Sequence, residues 1–188
     1  MQSNPVLGFL ASLLLLFGFF DIASAGYGSA NLIHYCPYNV YCSTVVGCAP
    51  GTPAAKCPGA KFNQLAMGTN ITVPFQKNPS GTGVTIMCTR DPSAGNPLVT
   101  QLEWTWEQGQ GKTYFDISNV AGHPFVDEGF ILHAIDKKDP KQTLNNCHDI
   151  FCKKGDLACN EAYEKWDDDE QAMRACYDDV IIGFQLCL

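Results

Sequence analysis

The chain has 188 residues, a formal net charge of −7 and ten cysteines, with apolar residues making up 46% of it. An acidic chain with no basic cluster excludes nucleic acid as an expected partner and gives no handle for an anionic membrane surface. Residues 6–20 are almost wholly apolar and are followed by Ala23-Ser24-Ala25, the pattern of a secretory signal cut behind a small residue. A signal peptide at 1–25 and a single mature domain at 26–188 are therefore expected. The apolar run is too short and too early for a stable membrane span, and no later run is long enough to be one.

All ten cysteines, Cys36, Cys42, Cys48, Cys57, Cys88, Cys147, Cys152, Cys159, Cys176 and Cys187, follow the expected cut. An even number in a secreted chain reads as a disulfide framework whose pairing spacing alone leaves open. Residues 31–35, 39–46, 71–75 and 84–89 read as short strands, separated by turn signals such as Asn78-Pro79-Ser80-Gly81. Cys48 and Cys57 bound a loop rich in Pro, Gly and Ala. Asn70-Ile71-Thr72 is an acceptor for N-glycosylation, whereas Pro79 disqualifies Asn78.

Residues 101–118 alternate polar and apolar side chains on either side of the glycine-rich turn at 108–111. Strand periodicity puts Leu102, Trp104 and Trp106 on one face and Gln101, Glu103, Thr105 and Glu107 on the other. A symmetric turn sets Glu107 opposite Lys112, Trp104 opposite Phe115 and Glu103 opposite Asp116. Two carboxylates directly across a ladder destabilise it unless a neighbour, a shared proton or a function uses them.

The last third changes character. Residues 158–166 have helical spacing, with Ala162 and Trp166 on one face, and Asp167 three residues before Glu170 resembles a capping signal for a second turn through Arg174. The acidic run Asp167-Asp168-Asp169-Glu170 lacks the ligand spacing and central glycine of a calcium loop. The group Cys147, His148, Cys152 and Cys159 lacks zinc-knuckle spacing. No metal and no cofactor is expected. Residues 180–188 alternate like a closing strand, and the whole predicts a mainly β, antiparallel sandwich.

Several motifs then resemble the thaumatin-like superfamily, most closely its small fungal secreted branch of antigenic or yeast-phase proteins. His34-Tyr35-Cys36-Pro37-Tyr38-Asn39-Val40 is similar to the first strand pair of that family. Leu65-Ala66-Met67-Gly68 resembles its L-x-x-G turn, and Tyr114-Phe115-Asp116-Ile117-Ser118 with Val120 and Gly122 its aromatic-aromatic-Asp-Val-Ser signature. Ala162-Tyr163, Asp168-Asp169, Cys176 and the closing Phe184-Gln185-Leu186-Cys187 resemble its cysteine-rich region and last strand. The resemblance implies a thaumatin-like β-sandwich with a small disulfide-rich, partly helical segment at about 140–178. It also implies an acidic cleft associated with β-1,3-glucan, built in plant members from an Arg, a Glu and three Asp. Carried over by position, the Glu falls on Glu103 and one Asp on Asp116. The Arg position holds Gln101 and a second Asp position holds Ala121.

The expected function is a monomeric, secreted, extracellular and non-catalytic protein acting at the cell wall or a host interface. Its partner would be β-glucan, another cell-wall polysaccharide or a host protein, with Glu103, Asp116 and Tyr114 as glycan-binding candidates. The alternative is a weak endo-β-1,3-glucanase with Glu103 as proton donor and Asp116 as its partner, which needs carboxyls about 5 to 9.5 Å apart with their pKa values split. No G-x-S-x-G elbow or phosphate-binding glycine loop occurs. The four histidines, at 34, 123, 133 and 148, read as strand, loop or surface residues.

Overall fold

The computed structural model describes residues 28–49, 51–52, 56–57, 59–76, 81–107, 109–136 and 146–188. The expected signal segment, the Asn78-Pro79-Ser80 turn and the charged stretch at 137–141 lie outside them. The strands are β1 (Ser29–His34), β2 (Val40–Val46), β3 (Asn63–Leu65), β4 (Asn70–Pro74), β5 (Val84–Thr89) and β6 (Thr100–Glu107). They continue with β7 (Lys112–Ser118), β8 (Phe130–Ile135), β9 (Ile150–Cys152), β10 (Arg174–Tyr177) and β11 (Ile181–Leu186), and a short helix α1 (Asp169–Ala172) precedes β10. They form a five-stranded sheet in the order β4-β1-β11-β8-β9 and a six-stranded sheet in the order β10-β7-β6-β5-β2-β3.

Alternation in the sequence becomes the inner faces of a sandwich. β1 and β11 bury every second residue, so Ala30, Leu32, Ile182, Phe184 and Leu186 point inward from one sheet. Ile86, Leu102, Trp104, Phe115 and Ile117 meet them from the other. Phe130 and Phe184 meet edge to face at 5.7 Å between centroids, and Phe75 tilts against Trp104 at 6.1 Å, spacings at which aromatic pairs attract. Trp106 packs half-buried against this core, whereas Trp104 is only 3% exposed.

The closing strand β11 lies in the middle of its sheet, parallel to β1 and antiparallel to β8. β1 and β11 therefore run side by side along their whole lengths, and the Cys36–Cys187 bond pins them just past their shared end. The remaining bonds are Cys42–Cys88 across β2 and β5, Cys48–Cys57 in the loop, Cys147–Cys176 and Cys152–Cys159. Asp136 lies beside Cys147 and Cys176. The two sulfurs are bonded to each other and offer no thiolate to a metal.

The helical reading of 158–166 is overturned. That segment crosses between the sheets as turns, with one turn bond of its own from the Ala162 N–H to the Cys159 carbonyl, and Tyr163 is tied to the end of β7. The Tyr163 N–H donates to the Ile117 carbonyl and the Asn119 N–H to the Tyr163 carbonyl, both at 2.8 Å, around a parallel bridge between Ser118 and Tyr163. Ala162 is buried at 2% exposure and Trp166 is 83% exposed, so they share no face. Among the described residues of the disulfide-rich segment, α-helix is limited to the four residues of α1. The Asp168 carbonyl accepts the Gln171 and Ala172 N–H groups and starts it, while its carboxylate turns back to accept the N–H groups of Glu164 and Lys165. The guanidinium of Arg174, buried in β10, donates to the Gln171 and Met173 carbonyls and ends the turn.

The Cys36–Cys187 bond closes a sequence separation of 151 residues and Cys48–Cys57 one of 9. Loop-closure entropy scales with the logarithm of that length, so removing the first is expected to cost about 5 kcal/mol and the second about 3 kcal/mol. Chemical denaturation of Cys36→Ser/Cys187→Ser beside Cys48→Ser/Cys57→Ser checks this ordering. Equal losses would mean that the unfolded chain is held by its other bridges.

Candidate functional site

The β6–β7 hairpin carries the site. The Gln110 N–H donates to the Glu107 carbonyl at 3.0 Å, and Gly111 takes φ +63°, a left-handed conformation suited to glycine. The turn sets the register expected from the alternation: Glu107 pairs with Lys112, Trp104 with Phe115 and Glu103 with Asp116. With Trp104 and Phe115 buried inside, both acids emerge on the outer face of the six-stranded sheet.

A wall rises beside them where residues 163–166 run along the end of β7. Gln101, Glu103, Asp116 and Ser118 form the floor of an open groove of about 380 Å³, and Val120, Tyr163 and Trp166 form its side. Thr85 donates its hydroxyl to Oε1 of Glu103 at 3.0 Å, and Ser118 also hydrogen-bonds this carboxyl. Burial raises the Glu103 carboxyl above its ordinary 4.5, against the pull of those two hydroxyls.

A second polar cluster holds the wall in place. Glu164 lies 3.1 Å from Nε2 of His123 and accepts the Asn119 amide at 3.2 Å. Asn119 in turn accepts the Thr100 hydroxyl at 2.9 Å. Burial pushes Glu164 upward, and Asp156 and Asp168 add to that push while Asn119 and His123 oppose it. This chain runs from the wall to the first residue of β6. Its members are distant in sequence, and no local pattern joins them.

Of the residues singled out from sequence, Glu103 and Asp116 are brought together in the groove, and Gln101 is beside them. Tyr114 shares their sheet face one pair nearer the turn, outside the groove lining, and its hydroxyl donates to Gln110 at 3.1 Å. Ala121 is also outside the lining, and the neighbouring Val120 takes part instead. Tyr163 and Trp166 supply the groove's aromatic character, which the helical reading of their segment obscured. His34 is buried in β1 and donates to the Leu65 carbonyl, and His133 sits exposed beside Asp149. Asn70 is exposed at the start of β4. Among the described residues no helix is long and apolar enough to cross a membrane.

Residues 19–188 match the family described as Blastomyces yeast-phase-specific protein, Bys1. The chain belongs to this family. It is similar to an antigenic thaumatin-like protein of Arthroderma benhamiae, 26% identical over all of this chain and 84% of that one. It is also similar to the secreted thaumatin-like protein calA of Emericella nidulans, 28% identical over 79% of this chain and 75% of that one. In fold it resembles the protein elicitor MoHrip2 of Magnaporthe oryzae, with a TM-score of 0.59 at 18% identity over 86% of this chain and 99% of that one. The thaumatin-like xylanase inhibitor TLXI superposes with a TM-score of 0.50 at 12% identity, covering 85% of this chain and 99% of that one. The chain is a thaumatin-like protein of the fungal branch, and its sandwich is the thaumatin-like fold.

A carboxyl raised in the folded state binds its proton more tightly there than in the unfolded chain. Its contribution to stability is present below the ordinary value of 4.5 and is lost as pH rises through the higher folded value. Glu103→Gln is therefore expected to flatten the fall in stability above pH 4.5 and to stabilise the protein at neutral pH. Urea midpoints of both proteins between pH 4 and pH 7 read this, with Glu164 contributing the same sign of slope to each. Parallel pH profiles would show that Glu103 is as solvated in the fold as out of it.

Proposed function

We propose that this thaumatin-like protein is secreted and acts without catalysis, binding a neutral cell-wall polysaccharide of the β-glucan type in the groove beside Glu103 and Asp116. The observation that carries the reading is the pairing of two acids on the floor with Trp166 and Tyr163 on the wall. Carboxyls accept hydrogen bonds from sugar hydroxyls, and aromatic rings offer a flat apolar surface to the C–H face of a pyranose. Trp166, at 83% exposure, has its ring in solvent at the rim. The acidic chain disfavours an anionic polymer by simple repulsion. Secretion is supported by the cysteines all being bonded, by the apolar leader and by the similarity to a relative named as secreted.

One observation favours the glucanase alternative. Burial raises Glu103, which is what a general acid near neutral pH requires. Against it stands the geometry. Glycosidase carboxyls flank the scissile bond, whereas Glu103 and Asp116 are direct partners on adjacent strands and reach a ligand from the same floor. Gln101 adds no positive charge to hold one of them ionised. A protein partner, such as a secreted hydrolase or a host receptor, is the other outcome that the inhibitor and elicitor neighbours bring into view.

Co-sedimentation with insoluble β-1,3-glucan tests the reading, with reducing-sugar release followed in the same tubes. Binding without release is expected. Trp166→Ala should weaken it about tenfold, roughly 1.4 kcal/mol, and Glu103→Gln or Asp116→Asn by a similar factor. Sugar release that disappears in the acid variants would establish the enzyme instead. Neither binding nor release would sink both glucan readings and leave a protein partner.

A further inference from the structure

The outer face of the five-stranded sheet, on the opposite side of the sandwich from the groove, has an apolar pattern that glycan binding does not use. Strand register sets Ile33 of β1 between Asn70 of β4 and Gln185 of β11, and the row continues through Ile131 of β8 to Phe151 of β9. A second row runs from Pro74 through Ser29 and Ile181 to Ile135. Phe151 and Ile135 are 44% and 58% exposed, and Ile33, Ile131 and Ile181 are half-buried. The row between them is Thr72, Asn31, Gly183 and His133, polar except at Gly183, which has no side chain. Gln185 and Ser29 interrupt the two rows, so the face carries Ile33 beside Asn70 and the pairs Ile131–Phe151 and Ile181–Ile135. Exposed apolar clusters of this kind suit a partner or a cover.

The residue at the edge of the first row is Asn70 in the acceptor Asn70-Ile71-Thr72. β4 is the outermost strand of its sheet. Asn70 and Thr72 are both exposed. The Asn70 amide nitrogen lies 3.0 Å from the Thr72 hydroxyl, and that hydroxyl donates to Asn31 at 2.8 Å. All three side chains therefore project from the outer face. Cross-strand spacing of about 4.8 Å places Ile33 one strand and Gln185 two strands from Asn70, within the span of the first two sugars of an attached chain.

We propose that Asn70 carries an N-linked oligosaccharide whose first sugars lie over Ile33 and its row, covering the apolar outer face and the sheet edge. The modification joins the Asn70 amide nitrogen to the anomeric carbon of a lipid-pyrophosphate-linked oligosaccharide. The glycosyl–phosphate bond breaks, the lipid pyrophosphate leaves and the amide gives up one proton. The C–H faces of the sugars pack on the isoleucines while their hydroxyls face water, and their bulk blocks strand addition at β4. The inference shares with the proposed function only the secretory route.

The test uses the full chain produced in a secreting eukaryotic host, beside Asn70→Gln and the conservative Thr72→Ser. Intact mass is read before and after an amidase that releases N-linked glycans. Wild type and Thr72→Ser are expected to lose mass with the amidase, and Asn70→Gln to show no loss. Releasing the glycan from the folded protein should raise the fluorescence of an apolar-surface dye several-fold or produce self-association. Adding Ile33→Thr and Phe151→Thr to the Asn70→Gln chain should abolish that rise. An unglycosylated Asn70 on protein recovered from the secretory lumen or the medium overturns the proposal, and so does a glycan whose removal changes neither dye binding nor association. A glycosylated protein that still dimerises through this face overturns the cover and makes a second copy the occupant. A chain that never enters the lumen overturns this inference and the secretory part of the proposed function together, while glucan binding by unglycosylated protein is read separately.

Discussion

Everything at the candidate site depends on the register of β6 against β7. Side chains alternate with a period of two, so a slip of one residue would turn Trp104 and Phe115 out to solvent and bury the acids. Trp104 is 3% exposed and Phe115 1%, and both belong to the continuous core. Burying such aromatic surface is worth several kcal/mol at about 25 cal/mol per Å². Core packing therefore enforces a juxtaposition of like charges that the ladder by itself would resist. Two hydroxyl partners ease the burden on Glu103, one from β5 through Thr85 and one from Ser118.

The second constraint is the placement of β11. Pairing parallel to β1 makes the last strand an interior one, hydrogen-bonded on both sides. The five-stranded sheet cannot be completed until the C-terminal strand arrives, and a contact between such distant parts of the chain is entropically expensive to form. The Cys36–Cys187 bond lies just beyond this strand pair and holds the arrangement once made. The disulfide-rich segment has a different role. It leaves β9 at the edge of one sheet and reaches β10 at the edge of the other, and on the way residues 163–166 become the groove wall.

Local alternation was enough to read β1, β2, β4, β5, the hairpin and β11, because each has an inner face more buried than its outer one, though in β4 the inner residues are only half-buried. β8 buries Phe130, Leu132 and Ala134 alternately, but Ile131 and Ile135 on its outer face hide that alternation in the sequence. The other strands not read there lack the signal. β3 and β9 are three residues long, too short for a period to show. β10 takes Arg174 as an inward residue where the pattern expects an apolar one. At 158–166 helical spacing was present, but tertiary bonds to β7 outweighed it, as weak local propensity commonly allows. The site was half legible for the same reason. Glu103 and Asp116 are joined by a local turn. Tyr163 and Trp166 reach the groove, and the His123–Glu164 pair braces its wall, only through long-range contacts.

The two outer faces of the sandwich have opposite characters, and the difference bears on how the molecule meets a surface. The six-stranded sheet presents acids and hydroxyls with aromatic rings at the rim. The five-stranded sheet presents two strips of isoleucine and phenylalanine with a polar row between them. Asn70 belongs to the second face, so an oligosaccharide attached there points away from the groove. A cover on one face and a ligand on the other can then be held together, because the rigid, cross-linked core between them separates the two surfaces. Removing the cover would expose apolar surface without changing a single groove residue. Loss of solubility and loss of glycan binding should therefore be separable properties of this fold.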